Sequence, residues 1–309
     1  MSISHLRRPI GVFVTSAVLA GCSAIGSAPP LSNPAQRNVE RVPTPPLAEP
    51  KLRGALVYVS DNLGNFIDVF GRDGKLAGRI TAGLNRPADL FVDADHNLWV
   101  GNSGDGNVLK FKRGAMQGAS VYHDVSNAWD PATCTDGTLY ATNFSGALTI
   151  FARGHHHPTG SLSENDGAAI SVACDAAGNI FATATVLSPP GYVIEFPAGS
   201  THAKLLPINL PNPVDAKPDP AGKLLVLDSA GGGYNTVTEY TEAGSPTGRA
   251  MPTDANWNEM AISSKGKAIF GADQTDSEGV LRAFPSGKLL QTYADSKFSQ
   301  IGGIAFDPG

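Results

Sequence analysis

The stretch PADLFVDADHNLWVGNSGDGNVLKF, Pro87 to Phe111, decides how this chain folds. ADLFVD alternates apolar and polar residues up to a turn, ADHN. LWVGN is a second short apolar run, SGDGN a second turn, and VLKF a third run that ends on an aromatic. Short runs of this kind, punctuated by Gly, Asn and Asp, are antiparallel strands joined by hairpins, not helices.

Working outward, the same pattern returns along the chain and can be followed by two markers. The residue that opens the first turn falls at Asp93, Cys134, Asp175, Asp219, Ser263 and Asp307, and the aromatic closing the third strand at Phe70, Phe111, Phe151, Phe196, Tyr240 and Phe284. Both markers step by 40 to 45 residues. About four strands per period predicts the blades of a β-propeller, because such a unit buries its faces only against its neighbours. The chain finishes on a first strand, IGGIAFDPG, and its repeats begin at Gly54 on a second strand, GALVYVSD. One blade assembled from both termini closes the ring and leaves no exposed sheet edge. The expectation is an all-β, six-bladed propeller over 54–309.

The 309 residues include 35 Gly and 23 Pro, are 17% charged and carry a net charge of -5. A mildly acidic chain without a basic patch is not built to neutralise phosphates, so no nucleic-acid partner is expected. A monomer is expected. Upstream, Arg7 and Arg8 lead into the apolar run IGVFVTSAVLAG, too short to span a bilayer as a mature helix. Residues 22–53 are rich in Pro, Ser and Ala without apolar period and predict an extended spacer.

Candidate chemistry gathers where the first strands begin. Four residues before each turn marker stand Asp89, Asp130, Ser171, Asp215, Glu259 and Gly303, mostly acidic and at one geometric level. Carboxylates held that close raise their own pKa values or attract a cation; alternatively, each accepts hydrogen bonds from its own turn or from a neighbouring blade. Trp129 and Trp257 lie in the adjoining loops with Asn127, Asn165, Asp166 and Asn258 beside them. Tryptophan among amides and carboxylates suits stacking on a sugar or gripping a peptide, and equally suits a plug under a loop. Asp89, Trp129, Asp130, Asp215, Trp257, Asn258 and Glu259 therefore form a candidate ligand-binding mouth. Trp99 is expected in the core. Asp61, Asn102, Asn143 and Asp228, which end second strands, are assigned to turn closure.

Cys134 and Cys174 read either as a disulfide, in an exported chain, or as two buried small hydrophobes. His155, His156 and His157, with His96 and His202, occupy turns on the opposite rim and read as solvated polar residues rather than a convergent metal site. No catalytic residue is identified, no cofactor is expected beyond Ca²⁺ as a candidate, and no metal can be named.

Several segments resemble known families. Leu19-Ala20-Gly21-Cys22 resembles the lipobox of bacterial lipoproteins. That resemblance implies a signal peptide over 1–21, lipidation of Cys22, membrane attachment through the lipid and a location in the bacterial cell envelope. Ser23, where an Asp would retain the protein, implies the outer membrane, facing the periplasm or the cell surface. FVDADHNLWVGN and VACDAAGNIFAT resemble the NHL-type repeat, which implies a propeller acting as a binding or scaffold module for a protein, peptide or sugar. A weaker similarity to gluconolactonase-like propellers implies a metal-dependent hydrolase with ligands at Ala88, Trp129, Ile170, Val214, Asn258 and Gly302; of these only Asn258 carries a hard oxygen donor on its side chain. A similarity to streptogramin-lyase-like propellers implies His and Glu acid/base groups at the mouth, where this chain has no His.

Overall fold

Strands buried on both faces should be almost continuously apolar, and LVYV at the start of the first full strand is an example. In a computed structural model of the chain, Leu56 and Tyr58 point into one interblade core while Val57 and Val59 point into the next. The structure describes Leu52 and residues 54–309, apart from 144–145, 164–167, 186–189, 230–234 and 254. The signal segment, Cys22 and nearly all of the spacer lie outside the described residues, as do Asn165 and Asp166.

Six four-stranded antiparallel sheets form a β-propeller. Five are sequential, and the sixth is composite: Ile301–Asp307 pairs with Leu56–Asp61 in the register Leu56↔Asp307, Val57↔Phe306, Tyr58↔Ala305 and Val59↔Ile304. This closing blade is completed by Phe66–Gly71 and Leu76–Ile80. The blades that follow begin at Pro87, Pro131, Ala168, Pro213 and Trp257, and are called here the second to the sixth.

Six hydrophobic clusters fill the structure, one at each interface between adjacent blades. All six aromatic markers are buried in them or beside them. Their spacing is therefore a packing requirement, since each wedges the outer half of one interface.

The turn markers form a second repeat. Asp93, Cys134, Asp175 and Asp219 each donate their backbone N–H to the carbonyl four residues on. Asp93, Asp175 and Asp219 also accept that residue's N–H on their carboxylates at 2.8 Å, and Ser263 does the same with its hydroxyl to Ala268 at 3.0 Å. Cys134 departs because its sulfur is bonded to Cys174, with a Cα–Cα distance of 5.2 Å, tying the third blade to the fourth. Asp136 takes over the turn, accepting the N–H of Thr138 at 2.8 Å.

Asp307 accepts the Gly309 N–H on Oδ1 at 2.9 Å. Fully buried, it accepts Arg113 Nε at 2.5 Å and holds His96 Nδ1 at 2.6 Å, while Arg113 also donates to the Leu52 carbonyl at 3.0 Å and to that of Gly54. One guanidinium of the second blade thus clasps both termini of the closing blade. The chain enters the ring on this turn-marker face, opposite the end where the first strands begin.

Candidate functional site

Six innermost strands converge on the axis, and toward the turn-marker end the channel between them holds a cavity of about 180 Å³ lined by Leu90, Val172, Lys217, Met260 and Ala305. Asp130, Ser171 and Glu259 are fully buried, Asp215 is 1% exposed and Asp89 2%. The acidic level is therefore a sealed ring inside the channel, which corrects the expectation of an open mouth at Asp89, Asp130, Asp215 and Glu259.

A single bonding rule organises it. The group four before each turn marker accepts the backbone N–H three before the marker of the next blade. Asp130 Oδ2 takes Val172 at 2.8 Å, Ser171 Oγ takes Ala216 at 3.3 Å, Asp215 Oδ2 takes Met260 at 3.0 Å and Glu259 Oε2 takes Ile304 at 2.7 Å. Gly303 has no side chain with which to continue, and a Cβ there would lie 2.1 Å from Glu259 Oε2. Glu259, one methylene longer than Asp, occupies that gap and takes the next amide as well, Leu90 N–H on Oε1 at 3.0 Å. The Glu and the Gly are one arrangement, in which one carboxylate serves two blades.

Asp89 breaks the rule. The residue that should donate to it is Pro131, which has no N–H. Asp89 is hydrogen-bonded by the side chain of Trp129, and its Oδ1 has no partner. Asp130 Oδ1 is buried without a hydrogen-bond partner too.

One cation lies among these acids. Lys217 Nζ is 3.1 Å from Asp130 Oδ2 and 3.3 Å from Asp215 Oδ1. Burial works against its ammonium form, but Asp130, Asp215, Glu259 and Asp89 outweigh burial and raise its pKa, so it stays charged. Burial, and then the charge of Asp130, pushes Asp89 well above the carboxylate range, and burial and Asp89 do the same to Glu259. Asp130 is pushed up to about 6 by burial, with Lys217 pulling the other way.

Lys217 was not among the candidates, although the sequence carries its signal. Two before each turn marker stand Phe91, Ala132, Ala173, Lys217, Ala261 and Ala305, a single charge in an otherwise apolar register. A second missed belt lies one residue before the strand-ending polar positions. Ser60 Oγ donates to the Ala88 carbonyl at 2.7 Å, Thr142 Oγ1 to that of Ile170 at 3.4 Å and Thr183 Oγ1 to that of Val214 at 3.3 Å. At the equivalent Gly101 a Cβ would collide with the Trp129 carbonyl at 1.7 Å.

The two tryptophans separate. Trp257 is fully buried against Gly271 between the fifth and sixth blades, where a Cβ would meet its indole at 2.3 Å. It is the first residue of its strand rather than part of an entry loop, so it is core: of its two readings the buried one fits, and the stacking platform does not. Trp129 is half-buried. Asn258 spans blades, its Nδ2 donating to the Gly302 carbonyl, with Oδ1 buried and unpartnered. Trp99 is core, its indole N–H donated to Asp93 at 2.8 Å.

Asn102 and Asp228 do more than close their turns. Each carboxyl or amide oxygen accepts the N–H of a loop entering its own blade, from Asn85 at 2.7 Å and Asn212 at 2.8 Å. Asp61 accepts Gly64 N–H at 2.7 Å and Ser299 Oγ at 2.8 Å. Of the histidines, His156 stacks on Tyr122, His157 stacks on His123 and its Nδ1 meets Asp124 at 2.8 Å, and His202 is exposed. Among the described residues, the group placed to share a metal ion is Asp89, Asp130 and Glu259.

No protein-family model matches the chain, and no curated protein matches it. Solved structures do. A chain of the nidogen/laminin complex aligns with a TM-score of 0.64 at 15% identity, covering 82% of this chain and 98% of that one. Kuenenia stuttgartiensis hydrazine synthase aligns at 0.58 and 17% identity over 74% of this chain and 73% of that one. A functionally unknown protein from Desulfotomaculum acetoxidans aligns at 0.58 and 12% identity, covering 81% and 98%. At these identities the likeness is one of fold alone.

Proposed function

We propose that this chain is a lipid-anchored protein of the bacterial cell envelope, held through Cys22, whose NHL-like propeller is a binding or scaffold module for a protein, peptide or sugar. Propellers host unrelated functions, so the fold alone does not choose among ligands. The observation that carries the reading is where backbone strain lies. Outside glycine, positive φ occurs among the described residues at Asn65, Arg86, Asp124, Ser126, Asn127 and Ser277, all in connections at the end where first strands begin, and at His96 on the other face. Such conformations persist only where the surroundings enforce them, and they concentrate at binding surfaces.

The surroundings here are built for it. Arg86 N–H donates to Asn65 Oδ1 at 2.7 Å, and the Arg86 carbonyl accepts Ser103 Oγ at 2.8 Å and Asn62 Nδ2 at 3.2 Å. Beside this interblade lattice stand the exposed Leu63, the exposed Arg86 side chain and the half-buried Trp129. An Arg, an apolar side chain and amides on a rigid frame suit a polypeptide with an acidic residue. The described chain enters the ring at Leu52 and Gly54, on the opposite face. The enzyme alternatives, a gluconolactonase-like hydrolase or a streptogramin-lyase-like enzyme, would need acid/base groups within reach of a substrate, whereas the carboxyls of Asp89, Asp130, Asp215 and Glu259 are buried.

Two measurements test the proposal. Cys22→Ser should move the protein from the membrane to the soluble fraction; unchanged membrane retention contradicts the lipid anchor. Photo-crosslinkers at Arg86 and Asn127 should trap one dominant envelope partner in cells that the same group at Lys265, on the opposite face, does not. Equal labelling from both faces contradicts the binding surface.

A further inference from the structure

The channel ring gathers more acids than cations. Asp89, Asp130, Asp215 and Glu259 are buried around the single ammonium of Lys217, one cation for four acidic groups. Removing ionised carboxylates from water is tolerated when each is paired or coordinated. The amide rule satisfies Asp130, Asp215 and Glu259 in part, but Pro131 denies Asp89 its donor. Asp89 Oδ1 and Asp130 Oδ1 are left buried and unpartnered, and carboxylate oxygens of Asp89, Asp130 and Glu259 lie within 4.8 Å of one another.

We propose that Asp89, Asp130 and Glu259 hold one calcium ion in the sealed channel, beside the Lys217 ammonium. All three ligands are hard oxygens, the set that calcium, magnesium and manganese prefer over softer metals. Calcium binds oxygen at about 2.3–2.6 Å, so ligands across the ion stand roughly 4.6–5.2 Å apart. The three ligand oxygens lie within 4.8 Å of one another, a span that calcium's bonds can bridge. Asn258 Oδ1, one residue before Glu259, is a further buried oxygen without a donor. The ion would add two positive charges where three innermost strands meet, so its role is to hold the second, third and sixth blades on one axis. This site is independent of any ligand at the strained face, and either can fail without the other.

The probe is calcium itself. The full-length protein in detergent, disulfide intact, is unfolded and refolded in chelator-treated buffer with calcium or with EGTA, then gel-filtered. One calcium ion per chain should remain by elemental analysis, and at a hundredfold excess over Kd the melting temperature should rise by about 5–10 °C over the EGTA sample. Asp89→Asn should lose both the ion and the shift, melting no lower than the wild type in EGTA; Ser171→Ala, in the same ring, should keep both. Wild type that retains no ion and melts identically in calcium and EGTA overturns the proposal, as does an Asp89→Asn variant that still holds the ion. If the chain does not refold, protein isolated undenatured and without chelator decides: one calcium per chain supports the site, none refutes it.

Discussion

In the second and fifth blades the innermost strand carries an acidic residue near both ends, Asp89 with Asp93 and Asp215 with Asp219, and around the ring the two levels meet opposite fates. At the turn end, Asp93 accepts hydrogen bonds from Asn97 N–H, Asn97 Nδ2 and Trp99 Nε1, all within a single hairpin. Burial pushes its pKa up, but the hydrogen bonds from Asn97 and Trp99 outweigh burial and leave it below the ordinary value. At the channel end, Asp130 and Glu259 take their amides from a different blade, and burial drives their pKa values up. The same functional group thus closes a local turn at one end and reports on assembly of the whole ring at the other. A local donor satisfies an ion within one blade, while a ring of ions needs every blade in place.

That contrast can be attacked directly, and Lys217 is where the largest effect lies. Lys217→Met leaves four buried carboxylates with no ammonium, and should lower unfolding free energy by about 3–5 kcal/mol at neutral pH. Denaturant melts read the change; a loss below about 1 kcal/mol would show that the ring is already neutral. Gly303→Ala comes next, at about 2–3 kcal/mol, because its Cβ meets Glu259 Oε2 and the backbone of Asp89. Alanine at Gly248, where a Cβ meets nothing but φ is 84°, should cost about 1 kcal/mol and serves as the reference for backbone effect alone.

At the turn end, Asp175→Ala should cost about 1 kcal/mol in a denaturant melt, the ordinary value for a lost Asx-type bond to Asn179. Smallest of all, and opposite in sign between the regions, is the pH dependence. A carboxyl whose folded pKa lies above its unfolded one takes up protons on folding, so its contribution to stability grows as pH falls. For Asp130 the window runs from about 6 down to its unfolded value of 3.8. Asp93, held low, contributes stability above its unfolded pKa and loses it as pH falls through the folded one. In EGTA, the wild type should therefore gain stability between pH 6 and 4 relative to Asp130→Asn. A wild type that loses stability against that variant over this window contradicts the buried ring.

The fold was legible because propeller blades repeat. Turn and aromatic markers at a steady period, and a first strand left over at the C-terminus, were enough to place six sheets and the composite blade. The acidic level was legible as a level, because a residue four before a turn lands at the same height in every blade. Whether that height was open or sealed was not, since channel width depends on Glu259 and Lys217 filling the axis. Trp257 was misplaced because its strand starts sooner than its polar neighbours suggest. The departure at Asp89 can be read from the letters: once the amide rule is known, Pro131 identifies the one ring carboxylate without a cross-blade amide donor.

The central claim is that the amides of Leu90, Val172, Met260 and Ile304 are locked onto buried carboxylates across blade boundaries. Residue-resolved hydrogen exchange tests it most directly, with the turn amides of Asn97, Asn179 and Lys223 as internal comparison. The account predicts that the four channel amides exchange only when the ring unfolds globally, while the turn amides exchange by local opening. Channel amides that exchange as fast as the turn amides would show an open, wet channel and contradict it.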